Sequence, residues 1–344
     1  MKSQFLFLFP FCLFLLASCV KDKPEPVKEE LVSFSNKAKV YVVNEGNFMS
    51  GNASVSLYDP GTNSVVEDIY KTQNGTGIGD VAQSMYYYNS DYYLVVNNSN
   101  KVVVCDREMK MKASISGFTS PRYFLPVGNS KAYVSDLYSN SIQVVNLSTK
   151  SISGNIPCYG WTEQMAQVYN KVFVCNVKRD LCFVIDVTTN KKTDSISVGP
   201  NASSLVRDAN DKIWVLSAGN ATASVLARLS RINPQTLQVD QYFDFSTGDS
   251  PSALCLNKGK DTLFFLNKGI FKMGINSSSL PSQPIVAQGN RNYYGLGVQG
   301  DTYRIYASDA LDFIQRSNVY IFDMNGNEKS FFKAGTNANG FWFE

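Results

Sequence analysis

The chain has 344 residues, of which 44% are hydrophobic and 13% aromatic, enough to form one large core or two ordinary ones. Its formal net charge is only +3 and no basic run follows the N-terminus, which argues against nucleic acid as a partner. The sequence contains no histidine, which excludes Ser-His-Asp and Cys-His catalysis and any metal site that depends on imidazole.

Residues 1–18 are predicted to be a secretory signal peptide, because one early lysine is followed by an apolar run that ends in small residues. The run is too short to span a bilayer comfortably. Its end, "LASC", resembles the lipobox of bacterial lipoproteins, in which the cysteine becomes the lipidated first residue. We therefore expect acyl chains on Cys19 to anchor the protein to a membrane. The alternative is a plain cleaved signal with an incidental cysteine.

Residues 19–38 are rich in charge, contain two prolines and show little apolar periodicity, which predicts a flexible tether. The tether begins with "CVKD", which resembles the short export signal of lipoproteins on the outer face of the outer membrane. We therefore expect a lipid-anchored protein on the cell surface.

From residue 39 to the end, pairs of strand-like segments recur with a period of about 44 residues, as in "KAYVSDLYSNSIQVVN" and "KVFVCNVKRDLCFVID". Alternating β-branched and aromatic residues, with turn residues between the segments, predict about four short strands per repeat. Seven such repeats account for residues 39–344. We therefore predict an all-β fold, a single seven-bladed β-propeller of four-stranded antiparallel blades, with no helix of useful length and no second domain.

The two ends of this region predict how the ring closes. The first repeat begins at "KVYVVN" with no innermost strand before it, whereas the last repeat is followed by "TNANGFWFE", which resembles the innermost strands elsewhere. We expect the C-terminal strand to complete the first blade, which would leave only short outer edges exposed.

Two groups of polar residues have structural interpretations. The second segment of each repeat ends at Asp or Asn, which we expect to start a turn by bonding the local backbone: Asp59, Asp106, Asn146, Asp186, Asn233, Asn276 and Asp323. Five cysteines lie beyond the anchor, and an odd number cannot form a complete disulfide framework. Cys175 and Cys182 could pair across one hairpin, but we favour free, buried thiols.

Strand order predicts a working face. If each blade runs from inner to outer strand, the loops between its second and third strands share a face with the loops that lead into the next blade. We call this the channel-mouth face; it includes residues 44–52, 135–140, 158–164, 288–295 and 308–318. Its candidate ligand-binding residues are Phe48, Asn97, Arg122, Asp136, Tyr138, Tyr159, Trp161, Gln164, Lys178, Arg179, Tyr293, Tyr294, Asp309 and Phe313.

Large rings with polar neighbours suit a broad, flat ligand that has a polar edge. For any single ring, packing against the adjacent blade is the alternative. An oxygen-only calcium site is a further alternative, because Glu45, Asn97, Asp136 and Asp309 occupy comparable positions, as in a lactonase-like propeller hydrolase. Solvated loop carboxylates and amides are common and are the favoured explanation of these residues, so we expect no catalytic residue, no metal and no intrinsic cofactor.

Several stretches, among them "DVAQSMYYYNSDYYLVVNNSNKV" and "SPRYFLPVGNSKAYVSDLYSNSIQVVN", resemble a group of gut-bacterial surface lipoproteins with YncE/YVTN-type seven-bladed propellers. That group includes the BtuG-like cobalamin-binding proteins. The resemblance implies a non-enzymatic surface protein that binds cobalamin and related corrinoids and delivers them to a TonB-dependent outer-membrane transporter of the BtuB type. The alternatives are a surface propeller for another nutrient, such as a glycan or haem, and a calcium-dependent lactonase-like hydrolase.

Overall fold

A computed structural model describes residues 39–344; the predicted signal peptide, Cys19 and the tether lie outside the described residues. Its 28 strands form seven four-stranded antiparallel sheets. The innermost strands of successive sheets contact one another, and the last of them contacts the first, so the sheets form a closed ring. The fold is therefore the all-β, seven-bladed propeller that the repeats predict.

The strands are numbered in chain order. Blade 1 contains β1 (Val40–Asn44), β2 (Ser54–Asp59) and β3 (Ser64–Val66), and blade 2 contains β4 (Ala82–Tyr88), β5 (Asp91–Val96), β6 (Lys101–Cys105) and β7 (Met111–Ser116). Blade 3 contains β8 (Pro121–Pro126), β9 (Lys131–Asp136), β10 (Ser141–Asn146) and β11 (Ser151–Pro157). Blade 4 contains β12 (Thr162–Val168), β13 (Lys171–Asn176), β14 (Leu181–Asp186) and β15 (Lys191–Ser197). Blade 5 contains β16 (Ala202–Arg207), β17 (Ile213–Ser217), β18 (Arg228–Asn233) and β19 (Gln238–Asp244). Blade 6 contains β20 (Ser252–Leu256), β21 (Thr262–Leu266), β22 (Gly269–Gly274) and β23 (Val286–Ala287). Blade 7 contains β24 (Tyr293–Gln299), β25 (Arg304–Asp309), β26 (Arg316–Asp323) and β27 (Glu328–Thr336).

The last strand, β28 (Ala338–Phe343), closes the ring as predicted. It is the innermost strand of blade 1 and pairs antiparallel with β1, from Val40 opposite Phe343 to Asn44 opposite Ala338. The chain end adds a further contact, because the Tyr92 hydroxyl donates to Glu344 Oε1 at 2.7 Å. The two ends of the described chain are therefore held in one sheet.

Burial depends on the place of a strand within its blade. The second strands, such as β5 and β21, are buried on both faces because neighbouring blades cover them, and their sequences are near-continuous apolar runs. Residues of the outermost strands, such as β19, alternate between exposed and partly buried. The core is consequently distributed among the spaces between blades; one cluster joins Phe173 and Val184 of blade 4 to Leu205 and Val215 of blade 5.

The structure confirms the turn-forming role of the repeated Asp and Asn residues. At six of the seven positions the side-chain oxygen accepts hydrogen bonds from backbone N–H groups of the following turn, at 2.7–3.0 Å: Asp59, Asp106, Asn146, Asp186, Asn233 and Asp323. These turns lie on the face opposite the channel mouth, so these residues contribute to the scaffold and not to the candidate site.

One short helix, α1 (Ile69–Asn74), lies between blades 1 and 2, although the sequence predicted no helix of useful length. Asp68 caps its N-terminus by accepting a hydrogen bond from the Lys71 backbone N–H at 3.0 Å. Gly75 ends it in the left-handed conformation, with φ of +71°. The helix forms because Ile69 and Tyr70 bury their side chains in the described fold.

All five cysteines of the described region are free thiols, as favoured from the sequence. Cys175 and Cys182 lie directly opposite each other in β13 and β14 but remain unpaired. Burial raises the pKa of the Cys105, Cys158 and Cys182 thiols to about 12. Cys255 is only partly buried and lines the central channel.

Candidate ligand site at the mouth of the central channel

The innermost strands share one irregularity, which builds the site. In all seven blades the first residue of the inner strand pairs with the second strand, and the pairing register shifts directly after it. In β28 this first residue is Ala338. A bulge of this kind releases a residue from the ladder and redirects its side chain. In every blade the residue directly after the first residue of the inner strand lines the same cavity of about 460 Å³: Gln83, Arg122, Glu163, Ser203, Ala253, Tyr294 and Asn339.

Arg122 and Glu163 form the most buried ion pair at the site. Arg122 Nε lies 2.8 Å from Glu163 Oε1, and only 16% and 3% of the two side chains are exposed. The Trp161 indole N–H donates to the same carboxylate oxygen, and Arg122 Nη1 donates to Gln83. Burial raises the pKa of Glu163, and the attraction of Arg122 opposes that rise.

Glu45 supplies a second carboxylate from the loop that follows β1. Tyr294 donates to Glu45 Oε2 at 2.8 Å, and Asn339 Nδ2 donates to Oε1 at 2.7 Å. Both donors are neutral. Burial raises the pKa of Glu45, whereas these two hydrogen bonds and the more distant positive charge of Arg122 oppose the rise. The cavity therefore holds two carboxyl groups and one guanidinium group.

The rim of the channel-mouth face carries exposed rings. Phe48 is 66% exposed, Tyr138 66%, Tyr159 61% and Phe313 43%. Phe313 packs edge-to-face on Tyr294, with ring centroids 5.5 Å apart, so the rim is connected to the cavity wall. Exposed aromatic side chains that surround a polar cavity are typical of a ligand-binding surface.

The structure divides the candidate residues into three groups. The first group lines the cavity: Arg122, Trp161, Gln164 and Tyr294. The second group is exposed on rim loops: Phe48, Tyr138, Tyr159, Lys178, Arg179 and Phe313. The third group is engaged within the protein, either buried or held by a neighbouring side chain: Asn97, Asp136, Tyr293 and Asp309.

The polar members of the third group organise loops. Asp136 is fully buried and accepts hydrogen bonds from the backbone N–H groups of Thr119, Ser120, Tyr138 and Ser139. Asn97 donates to Ser120 and to the Pro121 carbonyl, Asp309 accepts from the backbone of Asn292 and Leu311, and the Tyr293 hydroxyl accepts from Arg291. These side chains shape the rim but direct few free polar atoms towards a ligand.

Five of the seven aligned cavity residues were not among the residues predicted from the sequence: Gln83, Glu163, Ser203, Ala253 and Asn339. Glu45 was considered only as a calcium ligand. Each of the five follows the first residue of an inner strand, so aligning those strands by their first residue would have identified them. Within residues 39–344 no group of three or more His, Cys, Asp or Glu residues is arranged to hold a metal ion. No helix in the same range is long and apolar enough to cross a membrane.

The fold and the site define a seven-bladed β-propeller with a polar channel that is open at one ring-lined face. The chain belongs to the family described as a domain of unknown function, DUF5074, whose model matches residues 39–343. No curated protein sequence matches the chain at a significant level.

Solved propellers resemble the chain in fold at low sequence identity. A quinonprotein alcohol dehydrogenase-like protein from Bacteroides thetaiotaomicron is 12% identical, with a TM-score of 0.72 over 89% of this chain and 78% of that one. A functionally unknown protein from Desulfotomaculum acetoxidans is 10% identical, with a TM-score of 0.67 over 89% and 98%. A protein from Lactobacillus plantarum is 10% identical, with a TM-score of 0.65 over 90% and 99%. These similarities establish the fold alone.

Proposed function

We propose that the channel-mouth face binds cobalamin and related corrinoids, and that the protein delivers them to a TonB-dependent outer-membrane transporter. The observation that carries the proposal is the set of exposed rings on the loops of the channel-mouth face, Phe48, Tyr138, Tyr159 and Phe313. A corrin macrocycle is broad, partly apolar and edged with amides. It would contact the rings with its faces and edges, and the polar cavity with its amide groups.

The scaffold favours tight binding. The rings project from loops anchored by buried side chains, such as Asp136 beneath Tyr138. The blades themselves are regular sheets closed into a ring. A preformed surface loses little conformational entropy when it binds a rigid macrocycle. The proposed action is capture and transfer without chemical change, so the protein is proposed to be a binding protein and not an enzyme.

The proposed location follows from the N-terminal motif. A lipid anchor at Cys19, followed by a tether of residues 20–38, would hold the propeller at the outer face of the outer membrane. There the channel-mouth face could collect corrinoid from the medium and present it to the transporter. Co-purification of the lipidated protein with a BtuB-type transporter is expected, and its loss is expected in a Cys19→Ser variant.

Calorimetry with cyanocobalamin and cobinamide tests the binding step. We expect saturable binding of both corrinoids, and we expect red colour to accompany the protein through gel filtration. Tyr138→Ala and Tyr159→Ala should each weaken binding by about tenfold, because truncation of a contact aromatic commonly removes more than 1 kcal/mol of binding free energy. Tyr303→Ala is the matched control, because Tyr303 is 67% exposed but lies on the opposite face.

Colourless protein at micromolar concentrations of corrinoid would refute the proposal. Equal losses in all three tyrosine variants would show that the rim rings are not the contact surface. Binding of haem or of a glycan without corrinoid binding would assign the same face to another nutrient.

A further inference from the structure

The cavity wall is uneven in size and charge. At the position that follows the first inner-strand residue, blades 5 and 6 contribute the small residues Ser203 and Ala253, whereas the other blades contribute larger polar side chains. Glu45, Arg122 and Glu163 all lie in that larger polar part of the wall. A ligand group that enters the cavity therefore has space beside blades 5 and 6 and meets charged groups on the remaining wall.

Two of these charged groups retain unused hydrogen-bonding capacity. Arg122 donates from Nε and Nη1, so its Nη2 group has no acceptor within residues 39–344. Glu163 accepts both of its hydrogen bonds on Oε1, so Oε2 has no donor within the same residues. A guanidinium donor and a carboxylate acceptor are thus available from neighbouring blades.

The charges select the kind of group that can use both atoms. A cationic group would give the Arg122 Nη2 group no acceptor, and an anionic group would give Glu163 Oε2 no donor and would be repelled by Glu163 and Glu45. A neutral group that has both donors and an acceptor meets no such repulsion. A primary carboxamide is such a group, because its NH₂ can donate to a carboxylate while its carbonyl accepts from a guanidinium. We infer that the channel cavity binds a primary carboxamide and rejects the corresponding carboxylate.

This inference rests on the proposed function, which it makes more specific. A cavity of about 460 Å³ can hold one of the amide side chains at the edge of a corrin macrocycle. The macrocycle would remain against Phe48, Tyr138 and the other exposed rings of the rim, while one amide group reaches the ion pair. The ligand class is therefore amidated corrinoids, as distinct from corrinoid acids.

A comparison of two corrinoids tests the inference. Cobinamide carries amides around the macrocycle, whereas cobyrinic acid carries carboxylic acids. Calorimetry near neutral pH is expected to give at least about tenfold tighter binding of cobinamide, because a desolvated like charge disfavours the acid. Glu163→Gln should reduce this preference at least about threefold, because it removes a negative charge and places an N–H donor in the cavity.

Glu163→Gln also disturbs the Arg122 ion pair, so a second variant is needed. Glu45→Gln leaves that pair intact and is expected to reduce the preference in the same direction. Glu108→Gln is the matched control, because Glu108 is exposed on the opposite face, and it should leave the preference unchanged.

The outcomes separate the two proposals. Equal binding of cobinamide and cobyrinic acid by the unaltered protein, or a preference that persists in both channel variants, would overturn carboxamide recognition while the corrinoid proposal stands. Failure of the protein to bind either corrinoid would overturn the proposed function and this inference together.

Discussion

Deletion of residues 338–344, which comprise β28 and the chain end, should prevent cooperative folding of the ring. The deletion removes the inner strand of blade 1 and three half-buried rings, those of Phe341, Trp342 and Phe343. Phe343 packs 5.2 Å from Tyr306 of blade 7, and Trp342 lies 6.1 Å from Tyr87 of blade 2, measured between ring centroids. Both neighbouring blades therefore lose contacts.

The expected loss approaches the whole stability of a domain. Burying a large apolar side chain contributes about 1.5–3 kcal/mol, so three half-buried rings contribute about 4 kcal/mol together. The deletion also removes the hydrogen bonds of the five β1 positions that pair with β28. Net stabilities of domains are about 5–15 kcal/mol, so the truncated ring should be open or unfolded under native conditions.

Urea unfolding, followed by circular dichroism and tryptophan fluorescence, provides the assay. We expect the truncated chain to lose its single steep transition, and a synthetic peptide of residues 337–344 added in trans to restore part of it. Phe331→Ala is the control, because Phe331 is an outer-strand ring that is 55% exposed, and its loss should have little effect. A truncated chain with an unchanged urea midpoint would refute the closure argument.

Three further predictions concern stability and reactivity. Glu163→Gln should cost about 3 kcal/mol of unfolding free energy, because it leaves a buried guanidinium without its counterion. Glu67→Gln is the control at a surface ion pair, where 60% of the Glu67 side chain is exposed, and it should cost less than about 1 kcal/mol. Equal shifts of the two variants in urea titrations would contradict this. Gly335→Ala should lower stability by about 2 kcal/mol, because the added Cβ would lie 2.6 Å from Ser54 Oγ. Gly154→Ala is the control: its Cβ would have no atom within contact distance, so the thermal midpoint should be nearly unchanged. Alkylation at pH 8, read by mass spectrometry, should reach Cys255 first, because this channel thiol is partly exposed, although burial raises its pKa to about 12. It should spare four buried thiols until urea unfolds the protein: Cys105, Cys158, Cys175 and Cys182.

The architecture could be predicted because its signals are local and repeated. Apolar runs such as β5 and β21 mark strands buried on both faces, and an Asp or Asn before a turn marks the end of each third strand. The missing first strand and the surplus last strand predicted the closure that β28 makes. The helix α1 could not be predicted, because it is only six residues long and depends on the capping contact of Asp68 and the burial of Ile69.

The site was only partly predictable for a different reason. Exposed rings such as Tyr138 and Phe48 could be placed from loop position alone. Loop position does not separate a side chain that faces solvent from one that bonds its own loop, so Asp136 looked like a rim residue although it is fully buried. Glu163 and Asn339 lie within strands, where alternation assigns a side chain to a face but does not reveal a bulge.

The repeated bulge has a consequence for how such proteins diversify. Each inner strand holds its blade through the paired residues, whereas the released residue, such as Ser203 or Tyr294, takes no part in that pairing. Positions of this set that take no part in the buried ion pair, such as Ser203 and Ala253, can therefore be exchanged with small effects on the scaffold. A descendant of this chain could acquire a cationic, anionic or apolar channel by substitution at those positions, with the blades and their closure retained. In this architecture, inherited variation in ligand preference can accumulate without first passing through an unstable fold.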